Sequence, residues 1–361
     1  MKTLRTLHRW FGLLIALPVA IQGLTGCVLA IEPWLPSPVT TQAGEPHPAS
    51  AIAGAALAVV GPAARVMRYT PGEPGRPAQV QVSLAEEPPR SMLVDPVSLQ
   101  VLGPAGEGWT TLRSLHVQFL APAWGGRSIG GWFGVGLLLL LVSGIPLWWP
   151  KPGRWRAALT IDRHASGWSF HRRLHGAIGI WTAAVMLVLV GTGVVLAFPR
   201  TSRGLLGLPA AGPPQASRVQ PRAAALAVDL DGVVAAGAAA VPDAIIRTVM
   251  LPASPADTTR VFMTVAGGSG ALSTVTLQLG PALQVVSLQD GRTQPAADRA
   301  YRWMHDLHEG EGLGAPWRML VIIAGFALPV FSVTGPAMWW LRRRGRHRID
   351  RARRARLGQV A

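Results

Sequence analysis

The stretch GLTGCVLAI, residues 23–31, decides how this chain is read. It closes an apolar run that follows a basic start, MKTLRTLHRW. Leu-Thr-Gly-Cys is the residue pattern of a lipoprotein cleavage site. The run is therefore either a leader cut before a lipidated Cys27 or a membrane helix that stays.

A shift of 167 residues separates the two readings. RTLHRWFG (5–12) then lies on RRLHGAIG (172–179), and TGCVLA (25–30) lies on TGVVLA (192–197). Arg5/Arg172, His8/His175, Gly12/Gly179, Thr25/Thr192 and Gly26/Gly193 coincide without a gap. The second copy lies in mid-chain, where no leader can be. Thr-Gly is then a feature of the helix, Cys27 stands where the other copy has Val194, and the first span is expected to be retained.

The rest of the chain follows the same plan. Four runs carry no Asp, Glu, Lys or Arg: Trp10–Ile31, Ser128–Pro150, Leu174–Pro199 and Met319–Leu341. Each exceeds the ~20 residues that a helix needs to cross the hydrocarbon core. With 49% hydrophobic and only 14% charged residues, the composition is that of a membrane protein rather than a soluble one. SGIPLWWP (143–150) matches TGPAMWWL (334–341), and SLH (114–116) matches DLH (306–308). The expected fold is an α-helical membrane protein. It has four transmembrane helices, arranged as two parallel helix–α+β–helix repeats related by an axis along the membrane normal.

The charge sets the sidedness. Residues 2–9, 151–173 and 342–356 hold 18 of the 34 basic residues against two acids, Asp162 and Asp350. The rest of the chain is balanced, so the whole net charge of +16 lies in these short segments. By the positive-inside rule both termini and the central loop are cytoplasmic. The expected division is 1–34 (first span), 35–127 (first outer module), 128–150 (second span) and 151–173 (basic loop). It continues with 174–199 (third span), 200–316 (second outer module), 317–341 (fourth span) and 342–361 (basic tail). Arginines directly after an apolar helix read as a stop-transfer anchor that attracts anionic lipid, and no nucleic-acid partner is expected.

The outer segments carry short strand patterns. ASAIAGAALAVVG reads as helix, followed by strands near Arg65–Tyr69, Gln79–Leu84, Met92–Asp95 and Gln100–Leu102. Leu230–Ala240 reads as helix, followed by strands at Ile245–Leu251, Thr259–Val265, Ser273–Leu279 and Gln284–Leu288. Each is a module of about 60 residues, near the lower limit of independent stability. With one cysteine, no internal disulfide supports them.

The chain has nine histidines, and the duplication pairs four of them. His8 and His175 begin the first and third spans, on the inner side. His116 and His308 precede the second and fourth, on the outer side. One histidine at a helix end often only caps or lies at the interface. Four that obey a duplication, at both faces of a membrane, point to function. Haem iron takes two axial ligands on opposite sides of its ring, and a helical bundle presents such ligands from facing helices. Zinc would want four closer ligands, usually with Cys or carboxylate.

Gly12 and Gly179, four residues after the inner histidines, would let a flat ring lie close to the backbone. Arg5, Arg9, Arg172 and Arg173 are candidates to pair with propionates. His171 and His305 share a helix face with His175 and His308, at i,i+4 and i,i+3, and are alternates for them. Asp306, Glu309 and Glu311 are candidates to orient an outer imidazole or bind released iron. Arg113, Arg127, Arg302, Trp109, Trp124, Trp303 and Trp317 are candidates to line a chelate site. Trp148, Trp149, Trp339 and Trp340 read as an interfacial belt. No dinucleotide fingerprint or P-loop is present, and GGSG (267–270) lies in an outer turn.

LHRWFGL, LHGAIGIW, LHEGEGLG and the SG…WWP and TG…WW helix ends resemble the PepSY-associated transmembrane family. The resemblance spans nearly the whole chain and implies a bacterial inner-membrane protein linked to iron acquisition. It also implies PepSY-like outer modules and two b-type haems on His8, His116, His175 and His308. The expected activity is reduction of a ferric siderophore or other ferric chelate docked between the outer modules. The electron would come from a quinol or a cytoplasmic reductase. One alternative is a non-enzymatic membrane protein that binds or regulates a periplasmic partner. Another is an iron-chelate permease.

Overall fold

Each charge-free run becomes a helix in the computed structural model. The model describes residues 1–36, 39–84, 89–162, 164–209, 228–254, 257–266, 268 and 270–358. Arg163, part of GGSG (267–270), and the tail side chains from 348 onward lie outside the described residues. The first half contains α1 (Lys2–Ile31), α2 (Ala49–Val60), β1 (Arg65–Thr70), β2 (Ala78–Ser83), β3 (Arg90–Val94), β4 (Val101–Pro104), α3 (Gly108–Gln118) and α4 (Gly126–Trp148). After α5 (Trp155–Leu159) come α6 (Gly167–Ala197), α7 (Pro199–Leu205), α8 (Leu230–Ala240), β5 (Ala244–Met250), β6 (Thr259–Val265), β7 (Thr274–Leu279), β8 (Val285–Asp290), α9 (Ala296–Glu309) and α10 (Gly314–Gly358). Helices α1, α4, α6 and α10 are long and apolar enough to cross a membrane. Helices α1, α6 and α10 outrun their charge-free stretches, where flanking Leu, Arg and Ala residues are good helix formers, while α4 stops before Pro150.

The chain divides into two compact units. One comprises Met1–Pro33, Gly108–Ser202 and Met304–Ala361, and the other Trp34–Glu107 and Arg203–Trp303. In the helical unit α1 packs on α4 and α10, and α6 packs on the same two helices. The order around the bundle is α1–α4–α6–α10, with α1 and α6 at opposite corners. The α1–α10 seam is made of small residues. Cys27 is buried in it, and its Sγ donates to the Ile322 carbonyl at 3.3 Å. A Cβ on Gly325 would stand 2.5 Å from that sulfur, and one on Gly23 would stand 2.7 Å from Leu328 Cβ. Small residues let two backbones approach where no water drives them together.

Helices α3 and α9 belong to the helical unit at their histidine-bearing ends, not to the sheet. Helix α3 packs on α1 and α4. It passes to α4 through a tight reversal in which Phe119 and Leu120 take left-handed backbone, and a Cβ on Gly126 would fall on the Gln118 carbonyl. The matching link from α9 to α10 instead uses Gly310, Gly312 and Gly314, all at positive φ.

In the second unit the eight strands form one antiparallel sheet, ordered β4-β3-β2-β1-β5-β6-β7-β8. The separate small cores expected from the sequence are merged, because β1 pairs with β5 through Arg68↔Met250 and Tyr69↔Val249. Bulges fall between Val66 and Arg68 in β1, and between Ile246 and Thr248 in β5. Alternate residues of the sheet, including Val80, Val82, Val261, Met263, Val275 and Leu277, are buried in one core with Ile52 and Ala56 of α2 and Val233 of α8. Asp231 of α8 accepts hydrogen bonds from the Ser50 amide and hydroxyl at the start of α2, and this holds its carboxyl below the usual range.

Two glycine substitutions should separate packing from helix propensity. Gly325→Leu overfills the α1–α10 seam, and a destabilisation of about 1–3 kcal/mol is expected. Gly54→Ala in α2, where a Cβ meets nothing within 4 Å, should stabilise by up to about 1 kcal/mol. Thermal unfolding of both variants in detergent checks the pair.

Candidate functional site

The four duplicated histidines are each held by the Nδ1 atom, and each bond reaches a hydroxyl on another helix. On α1, His8 Nδ1 lies 2.9 Å from Ser143 Oγ of α4. On α6, His175 Nδ1 lies 2.8 Å from Thr334 Oγ1 of α10. On α3, His116 Nδ1 lies 3.0 Å from Thr25 Oγ1 and 3.1 Å from the Gln22 carbonyl of α1. On α9, His308 Nδ1 lies 3.3 Å from Thr192 Oγ1 and 2.9 Å from the Leu189 carbonyl of α6. Among the described residues none of the four Nε2 atoms makes a hydrogen bond.

The outer pair meets directly. The rings of His116 and His308 stand 6.2 Å apart, centre to centre, tilted by 42°. Glycines admit them: a Cβ on Gly26 would lie 2.9 Å from His116 Cε1, and one on Gly193 would lie 2.8 Å from His308 Cε1. Both rings are buried deeply enough that protonation is disfavoured. Burial, with His308 nearby, pushes His116 down to about 4, and burial lowers His308 as well.

The inner pair stands on opposite corners of the bundle, on α1 and α6. His175 also packs on Phe331, with ring centres 4.9 Å apart. Of the packing glycines, Gly12 faces only Leu140, at 3.9 Å from a would-be Cβ, and Gly179 faces open space. Two polar atoms at this end, Arg9 Nε and His171 Nδ1, are buried without a hydrogen-bond partner among the described residues. Arg9 lies over the Trp10 ring, Arg172 over the Trp168 ring, and Arg173 pairs with Asp162 at 3.1 Å.

Of the two alternates, His305 stands apart from the outer pair. His305 is half exposed and turned to Glu309, at 3.4 Å, so it is His308 that faces His116. Glu309 and Glu311 are engaged by arginines instead. Glu309 takes Arg113 at 3.2 Å, and Glu311 takes Arg318 at 3.4 Å. Burial and Glu309 raise Glu311 above its usual value. Of the chelate-site candidates, Trp317 donates its indole N–H to the Leu307 carbonyl and Arg302 is held by Asp298. Trp109 and Trp124 are exposed.

The orienting groups missed by a reading of histidines alone are Ser143, Thr334, Thr25 and Thr192. Their signal was present in the sequence: each precedes a glycine, and each recurs in the matched half.

The outer rings fix a pH response. A histidine whose pKa is lower folded than unfolded leaves the unfolded chain binding more protons below pH ~6.5, so stability falls with acid. The stability that His116 contributes should be complete above its unfolded value and be lost as the pH drops toward about 4. Thermal midpoints between pH 7.5 and 4.5 should fall, and fall less in His116→Gln.

Among curated proteins none matches the chain. The family model of the PepSY-associated TM region matches residues 5–342, which include the charge-free stretch of each spanning helix and all four seated histidines. The chain is therefore a multi-pass membrane protein of the PepSY-associated transmembrane family.

Proposed function

We propose that the protein is a di-haem electron-transfer protein of the bacterial inner membrane, reducing a ferric siderophore or other ferric chelate at the periplasmic face. In this reading the chain is two helix–α+β–helix repeats, with both termini cytoplasmic and the sheet periplasmic. The short-loop arginines support the sidedness. The matched strand bulges and matched histidine bonds support the repeats.

The outer imidazole pair carries the proposal. A metal held between two imidazole nitrogens at about 2 Å from each puts the ring centres roughly 6 Å apart. His116 and His308 stand at 6.2 Å, with both Nδ1 atoms already engaged. Two neutral nitrogens per site, with no thiolate, suit haem iron better than zinc. At the inner end, the open space at Gly179 and the two orphaned nitrogens suit a flat ring with a carboxylate.

Bound haem would supply a one-electron carrier near each face. His8 and His175 would hold the inner group, and His116 and His308 the outer one, through Nε2 in each case. Arg9 and His171 would receive a propionate. Burial keeps the outer imidazoles neutral, so their Nε2 lone pairs are available at neutral pH. Arg113, Arg127, Trp109 and Trp124 of the helical unit offer cationic and aromatic surface to a bulky anionic chelate. The merging of the two half-sheets moves the docking expectation away from a cleft between separate modules and toward this surface. The donor is a quinol or a cytoplasmic reductase. The chelated Fe(III) leaves as Fe(II), which hard oxygen donors hold less well.

Absorption spectra of the purified protein, oxidised and dithionite-reduced, test this together with a pyridine haemochrome count. Two b-type haems are expected, with about one lost in each of His8→Ala and His116→Ala. A colourless protein that cannot be reconstituted with haem would overturn the proposal and favour a regulatory membrane protein.

A further inference from the structure

The four orienting hydroxyls share one environment. Thr25–Gly26, Ser143–Gly144, Thr192–Gly193 and Thr334–Gly335 are each a hydroxyl residue followed by glycine, inside a spanning helix. Each hydroxyl donates its own hydrogen back to its helix. Thr25 gives it to Ile21, at 2.7 Å, and Ser143 to Leu140, at 3.1 Å. Thr192 gives it to Val188, at 2.7 Å, and Thr334 to Val330, at 2.8 Å. With that hydrogen committed, the oxygen can only accept, and the atom facing it is a histidine Nδ1 in every case. At the outer pair a backbone carbonyl, also acceptor-only, lies beside the same nitrogen.

At three of the four seats the glycine supplies clearance. The Cε1 edge of the ring lies 2.9 Å from a would-be Cβ at Gly26, 2.8 Å at Gly193 and 3.5 Å at Gly144. At Gly335 the space is open.

We propose that these four hydroxyl–glycine pairs are copies of one imidazole seat, which fixes each histidine as the Nδ1–H tautomer and leaves Nε2 unprotonated as the binding atom. At the outer pair the Gln22 and Leu189 carbonyls, which can only accept, call for an Nδ1–H, and at the inner pair the tautomer follows from each hydroxyl giving its hydrogen to its own helix. Only the identity of what Nε2 binds rests on the haem reading. The serine and threonines are positioning residues, acting through the ring. The two pairs are held unequally. His175 has Thr334 as its single acceptor, whereas His116 has Thr25 and the Gln22 carbonyl. Loss of Thr334 should therefore free its ring more than loss of Thr25. An Nδ1–H held by an acceptor makes the ring a better donor to a metal, so loss of the bond should raise the reduction potential of a group bound there.

The test uses the full-length chain in detergent, labelled with nitrogen-15 at histidine and prepared without haem. Nitrogen NMR distinguishes ring nitrogens that carry hydrogen from those that do not. Four histidines are expected with protonated Nδ1 and bare Nε2. Thr334→Val, which keeps shape and loses the hydroxyl, should shift His175 toward the other tautomer. Thr25→Val should shift His116 less, and Thr334→Ser should restore the wild-type pattern. In haem-loaded protein, Thr334→Val should raise one of two midpoint potentials without loss of haem. Seated histidines with protonated Nε2, or a Thr334→Val spectrum and potential identical to wild type, would overturn the seats. A chain that binds no haem yet shows the four tautomers would sink the di-haem proposal and leave the seats standing.

Discussion

A neutral imidazole buried in an apolar bundle has one N–H to place, and in this protein that single bond organises the helical unit. An unsatisfied buried donor costs roughly 1–3 kcal/mol. Water is scarce at that depth, so the partner must come from another helix. Ser143 and Thr334 take the bond from His8 and His175, and Thr25 and Thr192 take it from His116 and His308. The connections follow from this demand. Helices α3 and α9 must turn back sharply enough to bring their rings onto α1 and α6, and the left-handed residues after each helix accomplish the turn. On α1 and on α6 alike, seventeen residues separate the histidine that is carried from the threonine that receives one. That spacing is about 25 Å of continuous helix, so the two sites are held apart by a rigid rod.

Electrostatics divides the helical unit by depth. The seated histidines bond to hydroxyls and carbonyls within the bundle, while arginines at the His8 end lean on tryptophan. Arg9 covers Trp10, Arg343 covers Trp339 and Arg344 covers Trp340. A guanidinium over an indole keeps its charge near water while its stem covers apolar surface, which suits the border between lipid and solvent. Arginine over tryptophan thus finishes these helix ends.

Much of this was legible in the sequence. Charge-free runs long enough to span located the four helices, since lipid leaves few other solutions. Alternation and turn residues located the eight strands to within a residue or two, and helix α8 was read at its full extent. The junction of the half-sheets was hidden. Only two residue pairs join β1 to β5, and nothing in either strand distinguishes an edge that will be covered from one that will not. The seats were half visible: Thr-Gly drew notice as a repeated feature, but its role depends on a ring from a helix about ninety residues away. Asp306, Glu309 and Glu311 drew attention because they are close in sequence to His308. Glu309 and Glu311 are committed to Arg113 and Arg318, while the ring turns to α6.

The β1–β5 junction has a consequence for how such a chain can be assembled. Superposing the two bulges sets Tyr69 on Val249, and these are the residues that oppose each other across the junction. A strand that meets its own counterpart antiparallel makes a self-complementary contact, the kind on which two-fold homodimers are built. The middle of the sheet thus has the geometry of a two-fold seam written into one polypeptide, and because both edges belong to one chain, the seam does not require its two sides to be identical: Tyr69 faces Val249.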